Sequence, residues 1–135
     1  MFTIDHLGIA VKSLAQAKAF YEKMGMQMLP EEVIEAEKVR LVMIPTGESR
    51  IELLEPTGDD SPIARFLLNR GEGLHHVALQ VTDLSAVVER LKQSGTRFVS
   101  NEIKIGAGNH SYIFVHPSSA GGVLLELCED MPQGV

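Results

Sequence analysis

Ile4-Asp5-His6-Leu7-Gly8-Ile9-Ala10-Val11 and, seventy positions further on, Leu74-His75-His76-Val77-Ala78-Leu79-Gln80-Val81 are the two stretches that decide the fold. They match in apolar character at most positions, and the same offset pairs Leu14 with Leu84 and Gly25 with Gly95. Such self-similarity makes the chain one module used twice. Each stretch alternates as a strand does, and a helical pattern follows it. In the first module Ser13 is the expected N-cap with Gln16 completing a capping box, then Leu14, Ala17, Phe20 and Met24 form the stripe and Gly25 the stop. In the second module Asp83 caps, Leu84, Val87, Val88 and Leu91 are the buried stripe, and Gly95 ends the helix.

Three strand-like runs follow each helix, roughly 26–35, 38–45 and 49–55 in the first module and 96–104, 111–116 and 122–128 in the second. Between the modules, Ser61 followed by Pro62 reads as a cap and first helical residue. The expected fold is therefore α+β. Two βαβββ modules, residues 1–58 and 72–130 of a single 1–135 domain, are joined by a short helix over 62–70. Two curled sheets of this kind can face each other around a cavity as a half-barrel of mixed strands.

Bulk properties narrow the function. At 135 residues and 44% hydrophobic content the chain can build a core. With 18 acidic and 12 basic residues, a net charge of −6 argues against nucleic acid as partner. No apolar run is long enough to span a bilayer, and the start, Met1 to His6, has no export signal. Cys128, the only cysteine, excludes an internal disulfide and fits a reducing compartment, so a cytoplasmic location is expected. Gly106-Ala107-Gly108 is too short to be a phosphate loop.

Strand periodicity then sorts the faces. Leu7, Ile9 and Val11 form the bulky face of the first strand, and Ile4, His6, Gly8 and Ala10 the other. Val77, Leu79 and Val81 are bulky in the matching strand, against Leu74, His76, Ala78 and Gln80. Each module thus places a histidine beside an unusually small residue, as a cavity wall requires. In the last strands, Glu52 lies opposite Ile51 and Leu53, and Glu126 opposite Val123, Leu125 and Leu127. A lone strand histidine is more often a satisfied interior residue, and a lone strand glutamate is usually solvated. The symmetry shifts that balance, since the same residue types recur at equivalent places. Two imidazoles and two carboxylates can hold a divalent transition metal with positions left for substrate. His75 points to the other face as a structural residue. His110 and His116 sit in loop-like contexts suited to turns or substrate contacts, Cys128 reads as core, and the acidic run from Glu31 to Glu37 reads as a solvated hairpin edge.

This pattern resembles the vicinal oxygen chelate superfamily over nearly the whole chain. Within it, several segments resemble the methylmalonyl-CoA epimerase family: residues 4–11, Ile51 to Pro56, Asp60 to Ala64, Gly71 to His76, Lys104 to Gly108, and His116-Pro117 through Gly121 to Glu126. The resemblance implies that His6, Glu52, His76 and Glu126 hold a divalent cation, Co2+ ahead of Mn2+, Ni2+ or Zn2+. It implies epimerisation of (2R)- and (2S)-methylmalonyl-CoA by C2 proton abstraction through a metal-stabilised enolate, and a homodimer. Glu126 is the first candidate for one acid–base group. Family members can carry a carboxylate on the third strand of the first module, but Val39-Arg40-Leu41-Val42-Met43-Ile44 offers none; Glu37 at its start is the candidate for the second group, with a water or another residue relaying the proton as the alternatives. Lys104, Gly106 and His110 are the candidates for the CoA portion. A glyoxalase I-like lyase is the main alternative on the same fold. A ring-cleaving dioxygenase or a ligand-binding relative without metal is a weaker one.

Overall fold

The computed structural model describes residues 2–106 and 109–130. Its elements in chain order are β1 (Phe2–Ala10), α1 (Leu14–Lys23), β2 (Glu32–Ile34), β3 (Val39–Thr46), β4 (Ser49–Pro56), α2 (Pro62–Arg70), β5 (Gly73–Val81), α3 (Leu84–Gln93), β6 (Lys104–Gly106), β7 (His110–Val115) and β8 (Leu125–Asp130). The chain divides into two compact units, one from His6 to His75 and one from His76 onward that also takes in the chain start up to Asp5. No helix among the described residues is long and apolar enough to cross a membrane.

The first unit orders its strands β2-β3-β4-β1, with β1 parallel to β4 and the others antiparallel. Alternation along β4 serves both faces. Ile51 and Leu53 pack with Val11, Leu14, Ala17 and Tyr21 under α1, whereas Leu54 packs with Ala10, Val39, Leu41 and Ile63 under α2. The Ser13 side chain accepts a hydrogen bond from the Gln16 amide and so starts α1. The apolar stripe differs from the expected one. Leu14, Ala17 and Tyr21 face the sheet, while Phe20 and Met24 are exposed. The ten-residue helix turns the 14–17–21 row inward, because that row meets Ile51 and Leu53. Gly25, with φ of 92°, ends the helix in the left-handed region that favours glycine. The strand expected over 26–35 shrinks to Glu32–Ile34, since Leu29 contributes one backbone bond to Met43 and Pro30 offers no donor.

The second unit orders its strands β5-β8-β7-β6, with β5 parallel to β8. Leu84 and Val88 of α3 are buried against Val81, Phe98, Ile113 and Leu127, with Val87 and Leu91 packed alongside. Asp83 caps α3 through the Ala86 amide, as expected. Of the strand expected over 96–104, only an isolated bridge from Phe98 to Val115 and the short β6 form. The last strand begins at Leu125, because Gly121 and Gly122 hold positive φ in the turn before it.

A carboxylate on β4 and one on β8 each secure the helix of their own unit. Glu55 accepts a 2.7 Å bond from the Leu14 amide at the start of α1. Glu129 accepts bonds of 2.9 and 3.0 Å from the Asp83 and Leu84 amides at the start of α3. First-turn amides lack helical partners and carry the positive end of the helix dipole, so a carboxylate there satisfies both needs.

Candidate active site and metal ligands

Register places the small residues of the sequence beside the glutamates. Gly8 pairs with Glu52 across β1 and β4, and Ala78 pairs with Glu126 across β5 and β8. A neighbour with almost no side chain leaves room for the carboxylate to lie over the strand. Two residues before each small residue, on the same face, stands a histidine. In the first unit His6 Nε2 lies 3.6 Å from Glu52 Oε1. In the second, His76 Nε2 lies 3.6 Å from Glu126 Oε1. All four residues are buried, at 4% to 8% exposure.

Burying a carboxylate is costly unless charge or hydrogen bonding meets it. A separation of 3.6 Å is too long for a hydrogen bond. It is near the spacing of two ligands that each sit about 2.1 Å from one ion. Imidazole nitrogen with carboxylate oxygen is also the donor chemistry of divalent transition metals. Each unit therefore carries a pair that fits part of a metal's ligand set.

The surroundings of the two glutamates differ. His110 opens β7 rather than lying in a loop, and its ring joins two carboxylates. Nδ1 is 2.8 Å from Asp130 Oδ1, and Nε2 is 3.4 Å from Glu126 Oε2. Asp130 had no sequence signal of its own, yet it follows Glu126 and Cys128 on one face of β8, where period-two reading would find it. Glu126 is the main reason the His110 imidazolium is held up to about 9; burial opposes the shift and Asp130 adds to it. A histidine raised above its ordinary 6.5 gives its full stabilisation below that pH and loses it as pH climbs toward 9. An NMR titration of the His110 ring in metal-free protein is expected to show a midpoint well above 6.5, lowered by Asp130→Asn. A midpoint near 6.5 in both proteins would remove the pairing.

The other candidates are placed as follows. Glu37 is exposed at the end of the short turn Glu35–Glu37, just before β3. Lys104 is exposed and Gly106 half-buried on β6. Ala107 and Gly108, part of the same proposed loop, lie outside the described residues. His75 packs edge-on against Phe66, with ring centres 5.0 Å apart. His116 caps the turn Pro117–Ser119, accepting a bond from the Ser118 amide. Cys128 is fully buried and its thiol donates to the Leu79 carbonyl at 3.5 Å. His110, Glu126 and Cys128 each offer a possible ligand atom within 4.8 Å of the others.

Known proteins resemble this chain in sequence and fold. The model of the glyoxalase/bleomycin resistance protein/dioxygenase superfamily matches residues 5–114. Human mitochondrial methylmalonyl-CoA epimerase is 41% identical over 126 residues, covering 92% of this chain and 72% of its own. The ethylmalonyl-CoA/methylmalonyl-CoA epimerase of Cereibacter sphaeroides is 38% identical, covering 92% of this chain and 95% of its own. A methylmalonyl-CoA epimerase solved with methylmalonyl-CoA and ammonium superposes with a TM-score of 0.86 at 34% identity, over 94% of this chain and 93% of that one. The chain belongs to the glyoxalase/bleomycin resistance protein/dioxygenase superfamily and, within it, to the methylmalonyl-CoA epimerase family.

Proposed function

We propose that the protein epimerises methylmalonyl-CoA at C2, interconverting the 2R and 2S forms. The observation that carries this reading is the buried His–Glu pair repeated in both units of a chain so similar to named epimerases. The C2 hydrogen lies between a thioester carbonyl and a carboxylate, and its removal builds negative charge on the thioester oxygen. His6, Glu52, His76 and Glu126 are assigned as ligands of one divalent cation, with Co2+ preferred over Mn2+, Ni2+ and Zn2+. When bound, that cation supplies Lewis-acid stabilisation of the developing charge.

Inversion needs a proton removed on one face of C2 and one delivered on the other. Glu126 is assigned to one face, because its buried carboxylate has one oxygen toward His76 and the other toward His110. Glu37 is assigned to the other, through water, since its turn is exposed. Lys104, Gly106 and His110 are assigned to the CoA side, where an exposed ammonium suits phosphate. The family reading also assigns a homodimer, and the single cysteine fits a reducing, cytoplasmic location.

Hydrogen exchange at C2 of methylmalonyl-CoA in D2O, followed by NMR, tests this. Cobalt-loaded protein is expected to incorporate deuterium with inversion, and chelator-treated protein to lose that activity. Methylglyoxal with glutathione, the substrate of the lyase alternative, is expected to give no product. No exchange by folded, fully metallated protein would sink the epimerase reading.

A further inference from the structure

The two units place different chemistry at equivalent positions beyond their glutamates. In the first unit Glu52 pairs with Met43, then Leu54 with Leu41 and Pro56 with Val39. In the second, Glu126 pairs with Phe114, then Cys128 with Tyr112 and Asp130 with His110. Val39 is core packed under α2, whereas its counterpart His110 is a polar ring with a quarter of its side chain exposed. The position from which a second imidazole reaches Glu126 is therefore filled by valine in the first unit.

The geometry at that imidazole is specific. Glu126 presents Oε1 to His76 at 3.6 Å and Oε2 to His110 at 3.4 Å. Asp130 fixes the far nitrogen of the His110 ring at 2.8 Å, and Tyr112 stacks on the ring with 25° between planes. Phe114 packs edge-on against both Tyr112 and His76, so a continuous aromatic row backs the carboxylate. We infer that His110, oriented by Asp130 and Tyr112, is a positioning residue that fixes the rotamer of Glu126 and makes it, rather than Glu52, the acid–base carboxylate. A carboxylate oxygen has two lone pairs, so accepting from His110 leaves Oε2 a second direction for a substrate proton. Partners of this kind hold ligand and base geometry, and their loss costs about 10- to 100-fold in affinity or rate.

This inference rests on the epimerase reading, and the experiment separates the two. Cobalt-loaded wild type, His110→Ala, His110→Gln, Asp130→Asn and the His110→Ala/Asp130→Asn double variant are assayed for kcat, KM and C2 exchange from each epimer. His110→Ala is expected to lower kcat about 10- to 100-fold, a fall larger than any rise in KM from its lost CoA-side contact, and His110→Gln, which keeps a donor, to recover much of the kcat loss. The double variant is expected to be no worse than His110→Ala, since Asp130 acts through the ring. Exchange should slow from one epimer only, the one deprotonated by Glu126. A raised KM with unchanged kcat would make His110 a substrate contact alone and overturn the inference, as would equal slowing from both epimers. Should wild type show no exchange at all, the epimerase reading fails, and calorimetric Co2+ titration of the metal-free proteins decides the inference. Weaker binding in His110→Ala and Asp130→Asn, without additivity in the double variant, upholds the positioning of Glu126 by His110; unchanged affinity in both overturns it.

Discussion

Glu126→Gln is expected to slow C2 exchange and epimerisation about a thousandfold, within the range by which positioned acid–base groups contribute. Glutamine keeps the shape of the side chain and an oxygen that can still accept from His110, so packing around the buried site changes little. What disappears is the capacity to take and return a proton. Cobalt content must be measured in the same samples, because an amide oxygen is also a poorer cation ligand than a carboxylate. A metal-loaded, folded variant retaining activity within tenfold of wild type would remove Glu126 from the chemistry.

The largest expected effect on stability is that of Leu53→Ala. Leu53 is fully buried on β4 among Val11, Leu14, Val42 and Ile44, back to back with Glu52 on the same strand. Removing a buried leucine side chain to Cβ costs the lost transfer free energy plus the cavity, about 3 kcal/mol. For a chain of this size that corresponds to a fall of about 10 °C in Tm of the metal-free protein. Thermal melts followed by circular dichroism check this. A fall below about 3 °C would mean that the α1 layer collapses onto the space or that the strand is held elsewhere. Saturating cobalt should restore part of the loss if it binds only the folded chain.

Much of the architecture was legible because period two and the seventy-residue repeat reinforce each other. His6 with Gly8, and His76 with Ala78, could be assigned to one face before any pairing was known. The carboxylates on the last strands followed from the same alternation. Helix facing was less legible. Phe20, Tyr21 and Met24 are all apolar or amphipathic, and only the sheet below decides that Tyr21 turns inward while its neighbours stay in solvent. The dyad of His110 and Asp130 was only half legible, since period two places Asp130 on the face of Glu126 but does not pair it with His110. It depends on the register of β7 with β8, which is set by the connection over 116–124. That connection holds a short turn and two glycines at positive φ, whose geometry the strand pattern does not encode.

Glu55 and Glu129 each stand three residues beyond a proposed ligand, and on a strand an odd separation means opposite faces. The chain thereby carries a check on its own threading. A slip of one residue in β4 would take Glu55 away from α1 and bring Glu52 round to meet apolar side chains instead. A slip in β8 would do the same with Glu129 and Glu126. Because both errors strand a carboxylate on the wrong side, a misregistered sheet is penalised twice at each site. Both halves carry this safeguard beside their proposed ligands, so in each the two carboxylates together dictate where the strand must sit.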